Sequence, residues 1–122
     1  MTRRHRTAAP RPLNDAELEL IEALLGAAGT GAGRFLGQLA RVEVVGGCGC
    51  GCPSIDLAVG GGSSEGAVKP VIVADGESPE GVPVGVILWA RGGVLSGLEV
   101  HPWNGSDSIR LPAVDSLMNF RR

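Results

Sequence analysis

The spacing of apolar residues changes once along this chain, and that change constrains the fold more than any other feature. Between residues 13 and 40 the apolar residues recur at helical intervals, and from Arg41 onward they alternate. In "LNDAELELIEALLG" (13–26), Leu18, Ile21, Leu24 and Leu25 form one stripe, with Glu17, Glu19 and Glu22 mostly off it. That is the pattern of an amphipathic helix. Asn14 suits the N-cap, Glu17 stands three residues on as a capping box requires, and Leu13 and Leu18 occupy the positions of a hydrophobic staple. Gly26 is expected to end the helix in the left-handed conformation. Gly29, Gly31 and Gly33 then form a joint, and "RFLGQLA" (34–40) predicts a second, shorter helix.

Beyond Arg41 the period is two. "RVEVV" sets Val42 and Val44 against Arg41 and Glu43, and "SIDLAV" sets Ile55, Leu57 and Val59 against Ser54, Asp56 and Ala58. Such alternation marks antiparallel strands that are wet on one side. "VKPVIVAD" (68–75) carries Pro70, which places that strand at an edge or delays its start. "VPVGVILWARGGVLSGLEVHPW" (82–103) predicts a hairpin that turns around Arg91-Gly92-Gly93. "SIRLP" (108–112) suggests a short strand and "AVDSLMNF" (113–120) a closing helical turn. Helices followed by strands, without βαβ alternation, predict an α+β fold. The expected architecture is two N-terminal helices packed on one face of an antiparallel sheet of about four to five strands. A length of 122 residues predicts one domain. Residues 1–12 are expected to form a disordered basic tail and residues 13–122 the α+β domain.

Charge and composition exclude several classes. Arg3, Arg4, Arg6 and Arg11 put +4 in the first twelve residues and leave −6 on the rest of a chain whose net charge is −2. A basic arm can bind nucleic acid, but this one lacks aromatic residues and its acidic body would repel phosphate, so nucleic-acid binding is not expected. No stretch reaches the roughly 18 apolar residues of a membrane span. Arg3-Arg4 is not followed by the apolar segment of an export signal, so a cytoplasmic location is expected. Twenty glycines against four aromatic residues (Phe35, Trp89, Trp103 and Phe120) predict many turns and an aliphatic core.

"GGCGCGCPSIDL" (46–57) holds every cysteine: Cys48, Cys50 and Cys52. An odd number of thiols in a reducing compartment argues against a disulfide framework. On a flat strand the three side chains would share a face about 6.6 Å apart. Sulfurs on one tetrahedral zinc approach to roughly 4 Å. Alternating glycines would have to curl the chain before three sulfurs and His101 or His5 made a Cys₃His set. C-x-C-x-C is also neither the C-x₂₋₄-C of structural zinc sites nor the C-x-x-C of dithiol redox sites. The favoured reading is a tight glycine-rich turn whose reduced thiols pack as small apolar groups. A zinc site, a redox pair, and a cysteine nucleophile with His101 as base stay open as alternatives. Neither G-x-G-x-x-G running into a helix nor G-K-[ST] is present. His101, Asp56 and Glu99 read as surface residues. Trp89 and Trp103 flank the hairpin as core covers or, if exposed, as a partner surface.

The stretches "RPLNDAELELIEALL" (11–25), "CGCPSIDL" (50–57) and "LSGLEVHPW" (95–103) together resemble small uncharacterised bacterial proteins. Their pattern is an Arg-Pro-Leu opening, a first amphipathic helix and a later antiparallel sheet. The resemblance implies the α+β fold and brings no activity with it. Small α+β proteins of this style include immunity partners of secreted bacterial toxins, an analogy at the level of fold alone. The expected function is therefore a non-catalytic interaction domain with a protein partner, using Trp89 and Trp103. The alternative is a thiol-dependent enzyme or metal-binding protein built on Cys48, Cys50, Cys52 and His101. No cofactor is expected, with zinc as the alternative.

Overall fold

The structure, a computed structural model, describes residues 4–48, 53–60, 65–104 and 109–122. Its first helix, α1 (Asp15–Ala28), forms as its local signals dictate. Asn14 caps it, with its side chain accepting from the Glu17 amide at 2.8 Å while the Glu17 carboxylate accepts from the Asn14 amide at 2.9 Å. This capping box satisfies two donors that the helix itself leaves unpaired. The helix runs past Gly26 to Ala28, and Gly29 ends it at φ +85°. Its buried stripe is Leu20, Ile21, Leu24, Leu25 and Ala28, with Leu18 only half-buried. Removing each large aliphatic of this stripe from water stabilises the fold by about 2 kcal/mol. The second helix, α2, spans only Gly33–Leu36, and a 3₁₀ turn at Leu39–Arg41 replaces the rest of the expected segment.

Seven antiparallel strands make one sheet: β1 (Arg4–Pro12), β2 (Val42–Cys48), β3 (Ile55–Val59), β4 (Val68–Glu77), β5 (Pro83–Arg91), β6 (Val94–Pro102) and β7 (Met118–Arg121). Their order is β1-β2-β3-β6-β5-β4-β7. The expected four to five strands therefore undercount the sheet by its two edges. Arg4–Pro12, expected as a disordered tail, is strand β1 instead, paired with β2 from Arg4↔Cys48 to Pro12↔Glu43. Its charges hid it: an edge strand is paired on one side only and need not alternate. The closing segment is a 3₁₀ turn at Val114–Ser116 followed by β7, which runs beside β4. Residues 109–112 join no strand.

The central hairpin shows how local sequence sets register. β5 and β6 meet through Arg91-Gly92-Gly93-Val94, and Arg91 pairs with Val94. Both central glycines have positive φ, +59° and +83°, as a two-residue turn matched to strand twist requires. With that register Val84, Val86, Leu88, Leu98 and Val100 all reach one face and are fully buried. They join Leu20, Ile21, Leu24 and Leu25 of α1 in one hydrophobic cluster with Val44, Leu57 and Ile72. Pro70 sits inside β4, as its sequence shows, but in the part that β7 does not reach. Its missing N–H therefore costs no ladder bond on that side.

Candidate functional site

The sheet has a second face, opposite the cluster, and alternation sends Gly85, Ile87 and Trp89 of β5 onto it. Across the ladder these residues meet His101, Glu99 and Gly97 of β6. Two of the three pairs set a large ring against a glycine. The His101 ring lies directly over Gly85, where a Cβ would come within 2.5 Å of Nε2 and 3.1 Å of Trp103. At Gly97 the approach is looser: a Cβ would meet the Ile55 carbonyl at 3.5 Å and Trp89 Cδ1 at 4.0 Å, both ordinary contacts. Glycine within a strand marks a place where another group approaches the backbone closely. Here Gly85 forms the floor under the His101 ring.

Polar contacts fix the rings. The Trp89 indole N–H donates to Glu99 Oε1 at 3.2 Å. Glu99 Oε2 lies 3.7 Å from His101 Nδ1, which is buried and has no hydrogen-bond partner among the described residues. His101 and Trp103 meet edge to face with centroids 4.9 Å apart. Such an arrangement suits the ring quadrupoles. Trp103 itself is 59% exposed, the most exposed large apolar side chain among the described residues. The row Trp89–Glu99–His101–Trp103 is thus a continuous strip on the sheet, half-buried at Trp89 and open at Trp103.

Of the residues singled out from sequence, Trp89, Trp103 and His101 come together. Cys48 ends β2 opposite Arg4, two strands from β6 and level with Glu99 rather than His101, which puts its backbone about 12 Å from that of His101 at ordinary strand spacing. Cys50 and Cys52 lie outside the described residues, as does the Cys48 side chain. His5 stands in β1 opposite Gly47. Among the described residues no three His, Cys, Asp or Glu side chains group as metal ligands. No described helix is long and apolar enough to cross a membrane.

Other residues gain roles that their sequence positions did not suggest. Ser54, placed by alternation on the wet face, is buried against β6. Its Oγ accepts from the Val100 amide at 2.8 Å and donates to the Val100 carbonyl at 3.1 Å, standing in for a ladder pair. Glu17, placed beside the apolar stripe, is buried at 4% exposure. Arg11 clamps it with two parallel hydrogen bonds of 2.9 Å. Burial pushes the Glu17 carboxyl up. The Arg11 hydrogen bond, the Asn14 amide and the Arg11 charge together outweigh burial and hold the group below its ordinary range.

This pair borders a cleft of about 700 Å³ on the cluster side of the sheet, beside Gly47, Pro53, Ser54 and Arg110. The Arg110 guanidinium donates to Glu80 at 2.6 Å and its amide to the same carboxylate at 3.2 Å. Those bonds bring the Glu80 carboxyl down to about 2. Both cations of the cleft are therefore neutralised by carboxylates, and His101 is not among its lining residues. Among the described residues the cleft presents no unpaired charge and no acid–base pair. Compared with protein-family models, curated proteins and solved structures, the chain matches none.

Proposed function

We propose that this chain is a non-catalytic interaction domain that binds a protein partner through the strip Trp89–Glu99–His101–Trp103. The observation that carries this reading is Trp103: exposed, and in edge-to-face contact with the His101 ring, which lies over Gly85. A rigid exposed indole anchors a partner at low entropic cost, and tryptophan dominates binding hot spots. Glu99, on the far side of His101 from Trp103 and in contact with the Trp89 indole, favours a cationic side chain on the partner. An immunity-type role, in which the strip caps a basic surface of a toxin, fits this chemistry.

The test is affinity capture from the native host with the wild-type chain and with Trp103→Ala, followed by direct binding to each candidate. A partner whose affinity falls by at least about thirtyfold with Trp103→Ala, a loss of about 2 kcal/mol, supports the proposal. A partner bound equally by both chains would sink it.

A further inference from the structure

At the opposite end of the sheet from His101, the joint between α1 and α2 faces the start of β4 and the β5–β6 turn across a cavity of about 440 Å³. Its lining is cationic, in contrast to the net charge of the chain. Arg34, Lys69 and Arg122 line it, and no carboxylate side chain does. The chain as a whole is acidic, with 13 Asp and Glu against 11 Lys and Arg. Arg11, Arg110 and Arg121 are each paired with a carboxylate, whereas Arg41 and Arg91, outside the cavity, make no ion pair among the described residues. Arg34, Lys69 and Arg122 make no ion pair among the described residues.

Two of the three cations are nonetheless held in place. Arg122 donates a short hydrogen bond to the carbonyl of Ala28, at the C-terminal end of α1. The Arg34 guanidinium lies over the Phe35 ring, 5.5 Å from its centroid. The carbonyl at the helix C-terminus offsets only part of the Arg122 charge and the aromatic face leaves that of Arg34 in place, so both guanidinium groups are oriented and still cationic. The floor beneath is apolar: Ala32, Phe35 and Ala90 are all buried. The wall formed by the β5–β6 turn is bare backbone. At Gly92 a Cβ would overlap the Glu65 carbonyl oxygen, so no side chain can fill the cavity from there. The turn is fixed in turn by α2's neighbour Gln38, whose Nε2 donates to the Gly93 carbonyl at 2.9 Å and whose Oε1 accepts from the Leu95 amide at 3.0 Å.

We propose that this cavity binds a small organic anion, a carboxylate or phosphate monoester carried on a compact apolar body. The oxyanion would take the forked donors of Arg34 and Arg122, with Lys69 as a third, more mobile charge. The apolar body would lie on Phe35 and the alanines. The cavity volume falls within the range of small-molecule sites. The site is separate from the tryptophan strip, so its success or failure leaves the reading of that strip untouched.

The experiment measures thermal shift and calorimetric binding of benzoate, phenyl phosphate, inorganic phosphate and benzyl alcohol to the full chain. Benzoate or phenyl phosphate is expected to bind saturably in the millimolar range or tighter. Inorganic phosphate lacks the apolar body and benzyl alcohol lacks the charge, so each should bind at least about tenfold more weakly. The stronger of the two aromatic anions identifies the head group. Lys69→Gln, at an exposed side chain, and Arg34→Gln should each weaken that anion by about tenfold with the fold intact by circular dichroism. Arg41→Gln, outside the cavity, should leave affinity unchanged. The proposal is overturned if neither aromatic anion binds saturably, if inorganic phosphate binds as tightly, or if neither cavity variant alters affinity.

Discussion

At the scale of single residues, the most informative case is Glu17, because three signals meet on one carboxylate. It belongs to the capping box of α1, it is buried, and it holds Arg11 of β1 by a bidentate ion pair. Sequence pattern revealed the first role and concealed the other two. A charged residue beside an apolar stripe reads as solvated, and Arg11 reads as part of a basic run; only the path of β1 brings them together. The same limit applies to Ser54, whose partner Val100 is 46 residues away. Glu17→Gln keeps a capping oxygen at N3 and removes the charge, so it isolates the ion pair. We expect the variant to be less stable by about 1–2 kcal/mol at neutral pH. The folded-state pKa of Glu17 is depressed, so its stabilisation is present above the unfolded carboxylate pKa and fades as pH falls through the folded value. Urea denaturation of both chains across the acid range checks this. The wild-type advantage should be full at neutral pH and vanish toward the acid limit, and a pH-independent difference would show that packing, not charge, is responsible.

Among the elements, those with complete local instructions were readable and those defined by their neighbours were not. The capping box and staple placed the start of α1, and the paired glycines with flanking alternation placed the β5–β6 hairpin. The α1 terminus was misplaced at Gly26 because a glycine there can end a helix, and only φ distinguishes it from Gly29. β1 carries no apolar alternation, and β7 alternates only over the four residues Met118-Asn119-Phe120-Arg121, too short a run to stand out from a closing turn. In the candidate strip, Trp89 and Trp103 were visible as aromatic residues, whereas Gly85 and Gly97 gave only the signal of glycine inside a strand. The two kinds of glycine respond oppositely to a methyl group. Gly26 lies within α1 with nothing within 4 Å of a Cβ, so Gly26→Ala should stabilise the fold by about 1 kcal/mol through helix propensity. Gly92 sits at φ +59° with the Glu65 carbonyl in the way, so Gly92→Ala should destabilise by at least about 2 kcal/mol. Thermal and denaturant midpoints of the two variants decide it, and equal effects of the same sign would contradict the assignment of either backbone position.

For the whole molecule, the strand order sets where stability resides. The order β1-β2-β3-β6-β5-β4-β7 puts the first and last strands of the chain at the two edges, and no local pattern contains that order. β5 and β6 are paired on both sides and supply Val84, Val86, Leu88, Leu98 and Val100 to the cluster, all at 1% exposure or less. β7 has four exposed residues, and its pairing with β4 is broken by an irregularity near Asn119, which takes φ +55°. β1 is interrupted between Arg6 and Arg11, yet its end is tied to α1 through Glu17. Amides of β7 should therefore exchange with solvent through local opening, at rates insensitive to low concentrations of denaturant. Those of β5 and β6 should exchange only through global unfolding, with the full denaturant dependence of the equilibrium transition. Arg11 should be protected above the early residues of β1, and Glu17→Gln should erase that difference while leaving β5 and β6 slowest. Native-state hydrogen exchange followed residue by residue supplies the measurement. Protection of β7 equal to that of β5 would mean that the edge is covered in solution, and that the hierarchy of this sheet is not set by its strand order.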